Sequence, residues 1–146
     1  MVFCYQKYGF RYIQIEGAIP IGRDNPDQLP VIQDLKMLHM RNGMPEIGIF
    51  ETSDTLFSQV NELIKWAIRS NVQSVVTDCP HREKLGWLEQ TYLMGGSIHF
   101  NYDLFALYHK LIDDMVTAQT AEGLVPAIAP EYVRFGGDFT DSPEWG

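Results

Sequence analysis

The segment Asp78-Cys79-Pro80-His81-Arg82-Glu83-Lys84-Leu85-Gly86-Trp87 is the most informative part of this chain. It brings two carboxylates, a guanidinium and an indole together within a short stretch that also holds a proline and a glycine. This density of charge and of turn-forming residues is typical of a loop that holds polar groups at a site. The preceding residues, 71–77, change from polar to apolar. We therefore expect a functional loop over residues 78–87.

Two stretches after residue 50 have the three- and four-residue apolar spacing of amphipathic helices. The first is predicted to begin at a cap, Thr52 or Ser53, with Asp54 adding negative charge, and to end near residues 70–71. Its apolar stripe consists of Leu56, Val60, Leu63, Ile64, Ala67 and Ile68. The second is predicted from about Asp103 to Glu122, before Gly123. Its stripe consists of Leu104, Leu107, Leu111, Ile112, Met115 and Val116.

The first third of the chain has the composition of β-structure. The run Phe10–Gly17 is rich in β-branched and aromatic residues and predicts a strand, and Val31–Met40 predicts a second one. A proline- and glycine-containing connection separates them. A short helix begun near Trp87 is predicted to continue through Thr91 to Met94, and residues 125–146 are predicted to be mostly loop. The order of strands followed by helices indicates an α+β fragment in which neither half is complete.

Composition excludes several classes of function. The chain has 146 residues, 45% of them hydrophobic, with a formal net charge of -8 and a pI near 4.8. Nucleic acids and anionic membrane surfaces require clustered Lys and Arg, so neither is an expected partner. We find no signal peptide and no apolar run long enough to span a membrane, so no membrane association is expected.

The sequence gives no indication of a metal or another cofactor. Cys4 and Cys79 are far apart, Cys79 and His81 are two residues apart, and the other histidines are scattered. None of these arrangements matches the ligand spacing of a zinc site. The two Gly-Gly pairs lack the context of a phosphate-binding loop.

The segment Asp78–Glu83, followed by Leu85-Gly86-Trp87, resembles the signature loop of the bacterial α-L-rhamnosidases of glycoside hydrolase family 78. Residues 8–12 are similar to the strand that closes the β-sandwich before the catalytic barrel of that family. Residues 48–54 resemble the start of the first barrel helix. Later segments resemble loops that follow the barrel helices, namely residues 119–123 with Val125 and Pro126, residues 130–132 and residues 141–146.

This resemblance implies terminal strands of a β-sandwich over residues 1–48, followed by the first helices of an (α/α)6 barrel, the six-hairpin glycosidase fold, over residues 49–146. The implied activity is hydrolysis of terminal α-L-rhamnosyl residues with inversion, so the implied partner is a carbohydrate, a rhamnoside. For a bacterial protein of this kind the compartment stays open between cytoplasm and periplasm. The apolar faces of an incomplete barrel are expected to favour self-association of the fragment.

The resemblance also assigns roles to residues. Glu83 matches the general acid, which protonates the leaving oxygen. Asp78 and Arg82 can hydrogen-bond sugar hydroxyls, and Trp87 can line the apolar face and methyl group of rhamnose. Many family members place an acidic residue that binds sugar after the Gly-Trp pair. Here the stretch reads Leu88-Glu89-Gln90, so either Glu89 takes that place or the contact is lost.

The general base has no match in the chain. Inverting hydrolysis needs a second carboxylate on the far side of the sugar, ~6.5–9.5 Å from the acid. Asp78 and Glu83 share one loop, so Asp78 does not supply that base. The family's base is a glutamate much later in the barrel. The chain alone is therefore expected to be inactive or nearly so.

Other interpretations stay open. The chain could belong to a related (α/α)6-barrel glycosidase or lyase with another sugar specificity, or it could be a non-catalytic interaction module. Asp78 could be a helix cap rather than a ligand of the sugar, and Trp87 could be a core residue.

Overall fold

The computed structural model describes residues 9–131 and 133, in which a two-stranded sheet is followed by three helices. The chain divides into two compact units, Met1–His39 and Met40–Gly146. The first contains strands β1 (Ile19–Pro20) and β2 (Val31–Ile32), which pair in parallel with Ile19 opposite Val31. The second contains the helices. The described residues therefore form an α+β arrangement, as predicted at the level of fold class.

The strand predicted over Phe10–Gly17 is wrong, because those residues adopt no regular structure. Ile13 and Ile15 have the alternation of a strand, yet they are 48% and 44% exposed. A strand is stable only when a neighbour satisfies its backbone and a core covers one of its faces. The second prediction, Val31–Met40, is correct only for its first two residues.

A side-chain clamp shapes the connection between the two short strands. The Asn25 side chain donates to the Leu29 carbonyl and accepts from the Leu29 N–H, both at 2.8 Å. The N–H groups of Ile19 and Ile21 then donate to the carbonyls of Pro30 and Ile32. These bonds hold the irregular connection closed.

Helix α1 (Thr55–Asn71) confirms the first helix prediction, but its cap is Asp54 rather than Thr52 or Ser53. The Asp54 Oδ1 atom accepts from the Leu56 N–H at 2.8 Å, and the Thr52 hydroxyl accepts from the Asp54 N–H at 3.1 Å. Three adjacent residues could each cap a helix, and the backbone register selects one of them.

Helix α2 (Leu88–His99) is longer than the short helix predicted from near Trp87 to Met94, and helix α3 (Phe105–Ala118) is shorter than predicted. Asp103 begins the turn before α3, since its carboxylate accepts from the Phe105 N–H at 2.9 Å. After Ala118 a separate turn forms, in which the Gly123 N–H donates to the Thr120 carbonyl. Gly123 has a φ of 91° and ends this turn rather than the helix.

The core of the second unit joins the C-terminal end of α1, the C-terminal end of α2 and the first half of α3. Its buried members are Ile68, Val72, Val75, Val76, Ile98, Tyr102, Leu104, Leu107 and Leu111. Of the stripe predicted on α1, Ile68 is in this core, whereas Leu56 and Leu63 are 63% and 68% exposed. On α3 the first three residues of the stripe are buried, but Ile112 and Val116 are exposed.

Residues 40–48 are tied to the helices by main-chain and ionic contacts. The N–H groups of Ile47 and Gly48 both donate to the Asn101 carbonyl. The Glu46 carboxylate bonds Lys65, which is buried, and pairs with Arg69 at 3.0 Å. Hydrogen bonding to Lys65 lowers the pKa of Glu46, and the same bond raises the pKa of Lys65. This ion pair connects residues 40–48 to α1, with Lys65 buried and the Glu46 carboxylate partly exposed.

Several sequence predictions fall on residues outside this description. The start of the segment 8–12 and residues 132 and 134–146 of the predicted C-terminal loop lie outside the described residues.

Candidate functional site

The loop predicted to carry function is closed by a two-way contact between Asp78 and Leu85. The Asp78 N–H donates to the Leu85 carbonyl at 3.2 Å, and the Leu85 N–H donates to the Asp78 carboxylate at 3.1 Å. Lys84, with a φ of 59°, turns the chain back toward this contact. Residues 79–84 therefore form a closed turn whose base is fixed by Asp78.

Asp78 is held in its ionised form. Burial alone would raise its pKa, but hydrogen bonds from the Cys79 thiol and from the backbone N–H groups of Leu85 and Cys79 hold the pKa of this carboxyl below its usual value. At neutral pH Asp78 is therefore an anionic acceptor. Such a group can bind hydroxyls, but it is poorly suited to donate a proton.

The charged residues at the tip of the turn face solvent. The side chains of Arg82 and Glu83 are 74% and 47% exposed, and they form a loose ion pair at 3.8 Å. The Glu83 N–H donates to the Cys79 sulfur at 3.2 Å, which fixes the backbone of Glu83 while leaving its carboxylate accessible. A pair this exposed contributes little to stability.

The end of the loop is anchored against residues 127–129. The Leu88 N–H donates to the Ala127 carbonyl at 2.9 Å, and the Ala129 N–H donates to the Gly86 carbonyl at 3.3 Å. A Cβ atom on Gly86 would lie 3.0 Å from the Val75 Cβ, so a glycine permits this close packing. Trp87 lies between these bonds, half-buried, and immediately precedes α2.

Two cavities flank α2 on different sides. Glu89 lines an open, largely apolar cleft of about 690 Å³ between α2 and α3, together with Tyr92, Tyr108 and Ile112. Asp78 lines a separate cavity of about 250 Å³ between α1 and α2. The structure therefore places these two predicted sugar ligands on different sides of α2.

Gln90, which was not among the predicted site residues, lines the cavity of Asp78. Residues 89 and 90 differ in direction by ~100° around a helix, which is why they face different cavities. Met94, one turn after Gln90, lines the same cavity. The four-residue spacing of Gln90 and Met94 was the sequence signal that places both on one face of a helix. It is informative only when α2 is known to begin at Leu88.

Among the described residues, His, Cys, Asp and Glu side chains do not gather in groups of three or more that could hold a metal ion. In the same part of the chain, no helix is both long enough and apolar enough to cross a bilayer.

Comparison with known proteins identifies consistent relatives. Residues 45–146 match the family described as the bacterial alpha-L-rhamnosidase 6 hairpin glycosidase domain. A curated alpha-L-rhamnosidase of Formosa agariphila is 34% identical over 113 residues, which are 77% of this chain and 11% of that protein. The chain thus spans about a tenth of the length of the curated relatives it matches.

Solved structures show the same similarity. The alpha-L-rhamnosidase from Dictyoglumus thermophilum matches with a TM-score of 0.61 and 30% identity, over 70% of this chain and 11% of that chain. A Streptomyces avermitilis alpha-L-rhamnosidase, solved in complex with L-rhamnose, matches with a TM-score of 0.61 and 27% identity, over 68% of this chain and 10% of that chain.

Proposed function

The chain belongs to the family of bacterial alpha-L-rhamnosidase six-hairpin glycosidase domains, and we propose that the protein of which it is part hydrolyses terminal α-L-rhamnosidic bonds with inversion. In this proposal residues 1–48 are the end of a β-sandwich domain, and residues 49–146 are the first helices of an (α/α)6 barrel. The observation that carries the proposal is the closed turn 78–85, because it holds an anionic Asp78 at its base and an accessible Glu83 in the same turn.

The proposed roles follow the chemistry of each side chain. Glu83 is the general acid, and its accessibility allows a leaving oxygen to reach the carboxyl group. Asp78, ionised and held by backbone donors, accepts hydrogen bonds from sugar hydroxyls. Arg82 donates to the substrate in fork geometry, and Trp87 lines an apolar part of the sugar. Glu89 lines the cleft on the other side of α2, so its proposed contact is with a part of the substrate other than the sugar that Asp78 binds.

Inversion requires a second carboxylate that activates water, ~6.5–9.5 Å from the acid. The proposed base is a glutamate in a part of the barrel that the relatives contain beyond the segment matched here. A general acid that works at neutral pH also needs a raised pKa, which burial or a neighbouring negative charge provides. The proposal therefore requires the remainder of the domain to enclose the 79–84 turn.

The direct test uses the complete protein that contains this chain. Glu83→Gln should lower kcat for aryl α-L-rhamnosides ~10²–10⁴-fold, because protonation of the leaving group is lost. The loss should be smaller for an activated leaving group, such as a dinitrophenolate, than for an alkyl alcohol, since an activated group needs less protonation. Proton NMR of the first product should show β-L-rhamnose. Glu122→Gln, an exposed glutamate after α3, is the matched control.

Each result separates one alternative. An equal loss for all leaving groups would show that Glu83 is not the acid. Activity on another aryl glycoside, with none on rhamnosides, would favour the related glycosidase. No turnover of any glycoside by the complete protein would favour an interaction module.

A further inference from the structure

One side chain joins the main chain of Glu83 to the carboxylate of Asp78. The Glu83 N–H donates to the Cys79 sulfur at 3.2 Å. The Cys79 thiol in turn donates to the Asp78 carboxylate. Because a thiol has one donor and an acceptor, Cys79 makes both bonds at once. The two acidic residues of the 78–85 turn are therefore connected through a single sulfur atom.

The connection continues from Asp78 to the residue that closes the turn. The Asp78 carboxylate also accepts from the Leu85 N–H at 3.1 Å, and the Asp78 N–H donates to the Leu85 carbonyl at 3.2 Å. The hydrogen bonds thus run without a break from Leu85 through Asp78 and Cys79 to Glu83, and this series is called the thiol relay below. An ionised acceptor strengthens the bonds that it receives, and consecutive hydrogen bonds polarise one another.

The thiol relay holds Glu83 by its main chain. The Glu83 side chain is 47% exposed and meets Arg82 only at 3.8 Å, and an ion pair this exposed does not fix a side chain. Lys84, the next residue, has a φ of 59°, a backbone conformation that persists only where the surrounding structure holds it. The place of the Glu83 carboxylate therefore depends on the bond between its N–H and the Cys79 sulfur.

The place of a general acid decides its efficiency. The acid has to lie within hydrogen-bond reach of the leaving oxygen, and a displacement of about 1 Å can lower a rate by ~10²-fold. Under the proposed function, Glu83 and Asp78 act on the same glycosyl unit, so the distance between them has to stay constant. A side chain that is bonded to both residues maintains that distance.

We propose that Cys79 is a positioning residue for the general acid, in that its thiol holds the Glu83 main chain at a fixed place relative to the Asp78 carboxylate. The inference rests on the proposed function, in which Glu83 is the acid and Asp78 binds the sugar. It gives a role to a side chain that does not itself contact the substrate.

The first experiment compares Cys79→Ala with Cys79→Ser in the complete protein. Alanine removes both bonds, so kcat for an alkyl α-L-rhamnoside should fall about tenfold to a hundredfold. The loss should be smaller for a dinitrophenyl α-L-rhamnoside, whose leaving group needs little protonation. Serine keeps a donor and an acceptor and should recover part of kcat. No loss, a loss equal for both substrates, or a serine variant no better than the alanine variant would refute the role of Cys79.

The second experiment asks whether Cys79 acts through Glu83. Cys79→Ala is added to Glu83→Gln, in which no acid remains to be positioned. The further change in kcat should be about twofold or less, because residues that act as a unit have non-additive effects. If Cys79→Ala lowers kcat by the same factor with and without the Glu83 carboxyl group, its effect is independent of the acid and the inference fails.

Val75→Ala is the matched control for a general loosening of the loop. Val75 is buried, and its side chain packs beside Gly86, just after the turn. This variant should lower Tm, and any loss of kcat should be equal for the two substrates. Thermal unfolding of every variant establishes that it is folded at the assay temperature. If Val75→Ala showed the same dependence on the leaving group as Cys79→Ala, a specific role of the thiol would be disproved.

These measurements separate the inference from the function on which it rests. If Glu83→Gln shows the expected loss while Cys79→Ala changes kcat for neither substrate, the role of Cys79 is refuted and the proposed function stands. If the complete protein does not hydrolyse rhamnosides, or if Glu83→Gln leaves kcat unchanged, the proposed function fails and the inference fails with it.

Discussion

Replacing Gly48 with alanine should strongly destabilise the helical unit, because the backbone of residues 47–48 lies directly against residues 100–101. A Cβ atom at Gly48 would lie 2.0 Å from the Phe100 carbonyl oxygen and 2.9 Å from the Asn101 Cα. Ordinary carbon–oxygen contacts are ~3.3 Å or longer, so the two segments must separate by about 1 Å or more. Both obstructing atoms belong to the backbone, so a side-chain rotation cannot relieve the overlap.

The expected loss of stability follows from the hydrogen bonds that this separation breaks. The N–H groups of Ile47 and Gly48 donate to the Asn101 carbonyl at 2.9 and 3.1 Å, and each bond contributes about 0.5–1.5 kcal/mol. Overpacking costs about 1–3 kcal/mol, and the stiffer unfolded chain returns about 0.4–1 kcal/mol. The net loss in the free energy of unfolding should be about 3 kcal/mol. For a unit of this size that corresponds to a fall in Tm of roughly 10–20 °C.

Gly43 provides the matched control five residues earlier. A Cβ atom there would meet no other atom within 4 Å. Gly43→Ala should therefore change stability by about 0.5 kcal/mol or less. Urea unfolding followed by circular dichroism gives both values, and an unchanged m-value keeps the comparison valid. Equal unfolding midpoints for the two variants would refute the close approach of residues 47–48 to residues 100–101.

Two further predictions concern charge and association. Because bonding to Lys65 lowers the pKa of Glu46, this pair should stabilise the fold above the unfolded pKa near 4.5, and its contribution should be lost as the pH falls through the lower folded pKa. Glu46→Gln should lower the free energy of unfolding at neutral pH and reduce its decrease at acidic pH, both measured by urea unfolding. An unchanged decrease at acidic pH would contradict the stabilising role of the Glu46–Lys65 pair. The exposed apolar side chains of α1 should make the isolated chain self-associate. Leu63→Glu should therefore reduce the molecular mass measured by light scattering. Glu62→Gln, the control at the neighbouring position, should leave that mass unchanged. A monomeric unmodified chain would refute this expectation.

The sequence predicted the helices better than the strands, for a physical reason. The spacing of Leu104, Leu107 and Leu111 reports a local property, and α3 formed with these residues buried. The alternation around Ile13 and Ile15 reports only compatibility with a strand, whose stability depends on a neighbour that the spacing does not specify. The family was also identified correctly from the sequence, because the residues of the 78–87 loop are specific in kind and in order.

The sequence pattern could not show which polar side chains are buried or which cavity each one faces. Lys65 is a helical lysine that the pattern assigns to solvent, yet it is buried, because Glu46 reaches it from 19 residues away. Glu89 was the natural candidate for a sugar ligand because it is acidic and follows Trp87. The cavity that each residue faces depends on the register of α2, so the pattern could not distinguish Glu89 from Gln90.

The apolar stripe of α1 and Glu83 are both exposed, and under the proposed function both need to be covered by other parts of the domain. Periodicity gives the direction of an apolar face but not what covers it, and in the described residues α1 packs through Lys65, Ile68 and Arg69 rather than through Leu56 and Leu63. If α1 belongs to a six-hairpin barrel, as proposed, a neighbouring hairpin covers the stripe. The same closure would enclose the 79–84 turn and give Glu83 the environment that an acid requires. Activity and loss of self-association should therefore appear together. A complete protein that is active while Leu63 remains accessible to solvent would show that the site does not depend on barrel closure.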